Sequence, residues 1–188
     1  MSVAAEILAI YGARGSRAYF GERVSMTEHG LQAAHFARAE SAPQALVVAA
    51  LLHDIGHLIE NVPDEILEWR SDAHHEEIGA RWLSQRFPAA VCEPVRLHVP
   101  AKRYRCATDA HYLASLSSAS VHTLRLQGGP MSAQEVARFE GERHFKDAVR
   151  VRGWDDQGKV AGLETEPLEA YASLIERLAQ HRPRGEAP

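Results

Sequence analysis

Eight apolar residues in a row, Ala45 to Leu52, form the greasiest stretch of the chain, and the pattern on either side is helical rather than alternating. From Gln44 to Glu60 the residues are apolar nearly all round, which predicts a central buried helix. Helix start signals recur. Ser25-Met26-Thr27-Glu28 reads as a capping box, with serine and glutamate exchanging backbone hydrogen bonds, and opens a helix to about Ala39. Ser41 with Gln44, and Pro43 in the first turn, opens a second helix reaching about Ile59. Ser132-Ala133-Gln134-Glu135 repeats the box. Asp72 is placed to cap a helix through Gln85, with Ala80, Trp82 and Leu83 partly inward. Pro167 stands near the start of a last helix in which Leu168, Tyr171, Leu174, Ile175 and Leu178 repeat at helical spacing. Gly128-Gly129-Pro130 ends whatever precedes it. Strand signals are nearly absent, so the expectation is an all-α bundle of about seven to nine short helices.

Composition narrows the class. With 188 residues, the chain has room for one domain, placed at residues 1–181, and a flexible tail at 182–188. Hydrophobic residues at 45% and charged ones at 24% exclude a disordered chain. Twenty-one Lys+Arg against twenty-five Asp+Glu leave a net charge of −4, which is no footprint for nucleic acid. The eight-residue apolar run falls far below the roughly 18 residues of a membrane span, and the start lacks a signal-peptide layout. A cytoplasmic protein with no membrane or nucleic-acid partner is expected. Cys92 and Cys106 form neither a CxxC pair nor a disulfide framework. One number stands out: eleven histidines.

The buried segment carries His53, Asp54 and His57, and a carboxylate in an aliphatic helix is costly unless something pairs with it. A metal ion would do so. Neighbouring helical residues point about 100° apart, so His53 and Asp54 reach one ion only if it lies between their directions. His29, His75, His98 and Asp155 are the distant partners in this set. Imidazole and carboxylate suit iron, and the absence of thiolates in the set argues against structural zinc or an iron–sulfur centre. His57 follows His53 by four residues and is expected to orient a ligand by hydrogen bond. His74 beside His75 leaves the register open by one.

The order His29, His53-Asp54, His75, His98, Asp155 resembles the ligand pattern of the HD-domain superfamily in its two-metal form. Local strings are similar to one branch, the mixed-valence di-iron oxygenases of phosphonate breakdown. They include Tyr19-Phe20-Gly21-Glu22, Glu28-His29, Ala50 to His57, His75-Glu76, His98-Val99-Pro100-Ala101-Lys102-Arg103-Tyr104, Gln127-Gly128-Gly129-Pro130-Met131 and Arg152-Gly153-Trp154-Asp155. The likeness runs from about Tyr19 to Lys159 and departs at Pro100, where alanine is expected and where Lys102 could be shifted. It implies two iron ions bridged by Asp54, one held by His29, His53 and Asp155 and the other by His75 and His98. It further implies that Lys102, Ser120 and Arg152 cradle a phosphonate, that Glu22 faces the substrate's amino group, and that Tyr19 guards an iron position. The implied reaction is cleavage of the C–P bond of a 1-hydroxyphosphonate with O₂, yielding phosphate and a carboxylate. Glycine would come from the 2-amino-1-hydroxyethyl substrate and glycine betaine from its trimethylammonio analogue.

Two rival functions remain at this point. Many HD-domain proteins are metal-dependent phosphohydrolases of nucleotides or phosphomonoesters, in which an ion activates water. A non-catalytic phosphonate or nucleotide sensor is the other, though such a protein would usually have lost a ligand. Glu22 suits a primary ammonium, whereas Tyr19, Phe20 and Tyr104 would supply an aromatic cage for a quaternary one. Asp156, next to Asp155, is expected to be solvated, and His35, His111, His122, His144 and His181 to be ordinary. Oligomeric state is left open.

Overall fold

The computed structural model describes residues 1–19, 22–59 and 74–180. The described residues form twelve α-helices and one 3₁₀ helix, with no strand. The all-α expectation agrees, but the number of helices exceeds the seven to nine expected. The surplus comes from caps that periodicity does not announce. Asp109 accepts from the backbone of His111 and Tyr112 and so starts a new helix directly after the one from His98 to Thr108. Ser117 does the same for Ser118–Leu126 by accepting from Ser120.

Helix α1 is Val3–Arg14 and α2 is Met26–Ala39, the latter opened by the expected capping box at Ser25 and Glu28. Helix α3 is Gln44–Leu52, and everything from Leu46 to Leu52 is buried. Ser41 does not cap it. Instead Ser41 adopts a left-handed conformation (φ 52°) and closes α2. Its N–H bonds Arg38 and the next N–H bonds Ala37, the pattern of a Schellman end. The segment expected to run unbroken to Ile59 is interrupted at His53. There the N–H groups of Ile55 and His57 bond only three residues back, and a short α4, Gly56–Ile59, resumes. The interruption lets His53 and Asp54 leave the helix surface and turn inward.

Gly56 marks a contact of two backbones. A Cβ there would lie 2.0 Å from the carbonyl oxygen of His75, so only glycine lets α4 lie against α5, His75–Ser84. The cap at Asp72 lies outside the described residues. Helices α6, Ala89–Arg96, and α7, His98–Thr108, follow, with Pro100 in the first turn of α7, where its missing N–H costs no helical bond. Next come α8, Ala110–Ser115, α9, Ser118–Leu126, and α10, Ala133–Glu140, which uses the expected box at Ser132. Helix α11 is Phe145–Gln157. A 3₁₀ turn, Leu168–Tyr171, precedes α12, Ala172–Gln180. Helix α3 is surrounded by α2, α6, α11 and α12, and α11 also packs on α7. The main core gathers Val48, Leu51, Leu52, Ile55, Leu83, Trp154 and Ile175, all fully or almost fully buried. No helix among the described residues is long and apolar enough to cross a membrane.

Candidate metal centre and adjoining cavity

Asp54 sits at the end of α3, and its two carboxylate oxygens divide four imidazoles between them. Oδ2 lies 3.5 Å from His29 Nε2 and 3.3 Å from His53 Nε2. Oδ1 lies 3.2 Å from His75 Nε2 and 3.5 Å from His98 Nε2. Asp155 joins the first pair, its Oδ1 being 3.4 Å from His29 Nε2 and its Oδ2 3.8 Å from His53 Nε2. All six side chains are buried. They arrive on α2, the α3–α4 turn, α5, α7 and α11. His75 is placed inward, while the His74 side chain is 63% exposed, so only His75 meets Asp54.

The rings are held in one tautomer by helix ends. His53 Nδ1 donates to the Ala50 carbonyl at 2.8 Å, His98 Nδ1 to Val95 at 2.7 Å and His29 Nδ1 to Gly158 at 2.8 Å. Each acceptor lies in or just past the last turn of a helix, where carbonyls lack intrahelical partners. A carbonyl only accepts, so each Nδ1 carries hydrogen, and the Nε2 of each ring is the atom left to face the centre. Glu76 reaches the fourth ring, its Oε2 3.6 Å from His75 Nδ1. Nothing in the pattern of the sequence singled out Glu76 as more than a neighbour of His75.

The donor set fits a pair of metal ions. His29 Nε2 faces His53 Nε2 at 3.0 Å, and His75 Nε2 faces His98 Nε2 at 3.1 Å. Two imidazole nitrogens each about 2.1 Å from one ion and at right angles lie about 3.0 Å apart. Facing lone pairs at that separation repel unless a cation or proton lies between them. Asp155 Oδ1 is buried with no hydrogen-bond partner. His29, His53 and Asp54 form one group able to hold an ion, and Asp54, His75 and His98 form another. Sharing Asp54, they make a binuclear metal site.

Charge is already arranged for cations. Burial alone would raise the Asp54 carboxyl, but the charge of His53 and hydrogen bonds from His53, His75 and His98 hold it well below the usual range. Burial opposes charge on His53 too, yet Asp54 outweighs it and pushes the imidazole up to about 9. At Asp155 burial is overcome by Arg152 and His29, and its carboxyl is also held well down. His57 lies outside this exchange. Burial and the neighbouring His75 drive its pKa well below the usual value, and its ring stacks on His75 at 3.9 Å between centroids. The stack sets the His57 ring face to face with His75, beside the imidazole it was expected to orient. Tyr19 stacks on His29 at 3.8 Å, and burial, with the charge and hydrogen bonding of Asp54, raises its hydroxyl well above the ordinary value.

Beside the centre opens a cavity of about 460 Å³, lined in part by Glu22, Arg105, Tyr112, Ser120, Asp156 and Lys159. Its size is that of a small-molecule pocket. Of the residues expected to meet substrate, Glu22 and Ser120 line it. Lys102 and Arg152 stand behind, 3% and 4% exposed. Lys102 Nζ donates to Thr123 at 2.9 Å, and burial with the charge of Arg152 lowers the ammonium to about 7. Arg152 forks onto Asp155 at 2.8 Å and onto Asp156, and its Nε donates to the Tyr112 hydroxyl at 3.0 Å. Asp156 is thus not the solvated residue expected: it also accepts from Tyr112 at 2.7 Å and Arg105 at 3.3 Å. Tyr104 is removed from the site. It packs on Phe139 and Phe145 and donates to Glu140, so it cannot join an aromatic cage with Tyr19. Phe20 lies outside the described residues.

Comparison with known proteins adds chemistry to this geometry. The family described as HD domain matches residues 19–133. Over 169 residues, 90% of this chain and 86% of the relative, the sequence is 44% identical to a [1-hydroxy-2-(trimethylamino)ethyl]phosphonate dioxygenase (glycine-betaine-forming) from Leisingera caerulea. Over 166 residues, 88% of this chain and 83% of the relative, it is 43% identical to a hydroxymethylphosphonate dioxygenase from Gimesia maris. An uncharacterised protein of Acanthamoeba polyphaga mimivirus is 34% identical over 171 residues, 90% of this chain and 78% of its own length.

Proposed function

From the premise that the chain belongs to the HD-domain family, within the group that holds phosphonate dioxygenases, we propose that it cleaves the C–P bond of a 1-hydroxyphosphonate with O₂ at a di-iron site. The products are inorganic phosphate and the carboxylate of the former C1, so that both oxygen atoms of O₂ are accounted for. The observation that carries this reading is 44% identity to a named phosphonate dioxygenase across 90% of the chain. It favours oxidation over the phosphohydrolase alternative. When bound, iron supplies the one-electron chemistry that O₂ requires, and imidazole with carboxylate is a donor set suited to it.

The protein's own residues then take defined parts. His29, His53 and Asp155 would hold one iron and His75 and His98 the other, with Asp54 shared between the two groups. Helix-end carbonyls keep the rings of His29, His53 and His98 oriented, and the stack of His57 on His75 limits rotation of that ring. Tyr19, with its hydroxyl at Asp54, covers the centre before substrate arrives. Lys102, Ser120 and Arg152 supply the cationic and hydroxyl donors that a phosphonate dianion needs. Glu22, on the cavity wall, faces the substrate end away from phosphorus, where a carboxylate suits a primary ammonium.

The test is iron loading without oxygen, then addition of O₂ with 2-amino-1-hydroxyethylphosphonate, its trimethylammonio analogue or hydroxymethylphosphonate. Oxygen uptake matched by phosphate release from one of them is the expected result. Phosphate from nucleotides, and none from any hydroxyphosphonate, would transfer the protein to the hydrolases.

A further inference from the structure

The interruption of the buried helix at His53 has to be held open, because it releases carbonyls that a continuous helix would pair. In an unbroken helix the Ile55 N–H would bond Leu51, four residues back. Here it bonds Leu52 instead, at 3.1 Å. Each carbonyl at the break has found its own donor. Ala50 accepts from His53 Nδ1 at 2.8 Å, Leu52 from Ile55, and Leu51 from the hydroxyl of Tyr11 at 2.9 Å. Tyr11 stands on α1, 40 residues from Leu51, is buried, and belongs to none of the ligands above. Burial, with the charge of Asp54 added, pushes its hydroxyl well above the ordinary value, so it keeps the hydrogen that it donates.

The same carbonyl is where α2 comes close. A Cβ on Gly30 would lie 2.7 Å from the Leu51 oxygen and 3.4 Å from the Tyr11 hydroxyl. Gly30 follows His29 directly, and Leu51 precedes His53 by two residues. One oxygen therefore registers the segments that carry two facing imidazoles. Arg14, three residues after Tyr11 and on the same face of α1, repeats the bond across the break. Its guanidinium donates to Leu58 at 2.7 Å and to Ile59 at 3.1 Å, the last two residues of α4. Helix α1 thus ties together both halves of the interrupted segment, from outside the HD-domain stretch of residues 19–133.

We propose that Tyr11 is a positioning residue of the metal centre: by taking the carbonyl that the break releases, its hydroxyl holds the turn from which His53 and Asp54 face the ions. Without the hydroxyl a buried carbonyl loses its partner, which is costly. The N–H that a continuous helix would direct to it is that of Ile55, and its return to Leu51 would extend α3 and turn His53 and Asp54 away. This goes beyond the phosphonate reading, since it rests on the binuclear site and is independent of the reaction catalysed there. Outer partners of metal ligands contribute about 10- to 100-fold in affinity, and Tyr11, which acts through the backbone, belongs at the lower end.

The experiment is titration of metal-free protein with Co(II), followed by its visible absorption, on wild type, Tyr11→Phe and Ile7→Val. Ile7 is a fully buried residue of the same helix, one turn before Tyr11, so its trimming loosens α1 without touching the carbonyl. The expected result is Co(II) affinity about 10-fold weaker in Tyr11→Phe, with an altered absorption spectrum, while Ile7→Val keeps the wild-type spectrum and an affinity within about twofold. Tyr11→Phe with wild-type affinity and spectrum, equal losses in the two variants, a Tyr11→Phe chain that circular dichroism shows unfolded, or no Co(II) binding by wild type would each overturn the proposal. If hydroxyphosphonates give no phosphate while Co(II) affinity still depends on Tyr11, the oxygenase reading falls and the role of Tyr11 stands.

Discussion

At the scale of single residues, burial decides which of several equivalent letters acts. His74 and His75 are adjacent imidazoles; one is 63% exposed and the other has its Nε2 3.2 Å from Asp54. Asp155 and Asp156 are adjacent carboxylates; one faces His29, and the other joins Arg105, Tyr112 and Arg152. Lys102 shows the cost of such burial, its ammonium lowered to about 7 by burial and by Arg152. Because the unfolded chain keeps this proton up to about pH 10.5, the unfolded state binds more protons than the folded state between about 7 and 10. Stability therefore rises with pH across that window and is lost as pH falls through 7. Urea midpoints of metal-free protein should accordingly rise for wild type relative to Lys102→Met between pH 7 and 10, and parallel curves would contradict the burial of a charge.

At the scale of elements, the joints between helices matter more than the helices. The apolar pattern from Gln44 to Glu60 predicts a helix where the chain in fact turns at His53, because periodicity reports which face is buried and not where a polar pair must leave the axis. Capping boxes at Ser25 and Ser132 were legible since both partners are local, whereas Ser41 closes the preceding helix, its N–H bonding Arg38 and that of Ala42 bonding Ala37. Gly158 is the joint with the clearest consequence. Its φ of −74° suits any residue, but a Cβ there would lie 3.1 Å from His29 Nδ1 and 3.0 Å from His29 O. Gly158→Ala should therefore displace the ring that this carbonyl orients. The expected outcome is a folded protein, about 1–3 kcal/mol less stable from overpacking, whose metal content per chain is reduced. A full complement of two ions would show that His29 needs no such seat.

At the scale of the whole molecule, the site is a tie between distant segments. Asp54 meets imidazoles carried on α2, α5 and α7 as well as its neighbour His53, and Asp155 brings in α11. Ions bound there favour the folded state by mass action, by about 4 kcal/mol when free metal is 1,000 times its Kd. Removing metal with a chelator should lower the melting temperature of wild type by several degrees and leave Asp54→Ala unmoved, since the variant lacks the shared ligand. Equal shifts in both would place the bound metal elsewhere. By itself the sequence determined the helical class, through 3.6-residue periodicity, and pointed to Asp54 with its neighbouring histidines, because a carboxylate in an aliphatic run demands a partner; the distant histidines and Asp155 were assigned through a resemblance to the HD-domain pattern. The tertiary structure alone decided that His75 and not His74 meets Asp54, that Tyr104 stands apart from the centre, and that Lys159 lines the cavity while Lys102 and Arg152 do not. Those relations join residues far apart along the chain or depend on which way neighbouring side chains face, and packing, not local pattern, sets both.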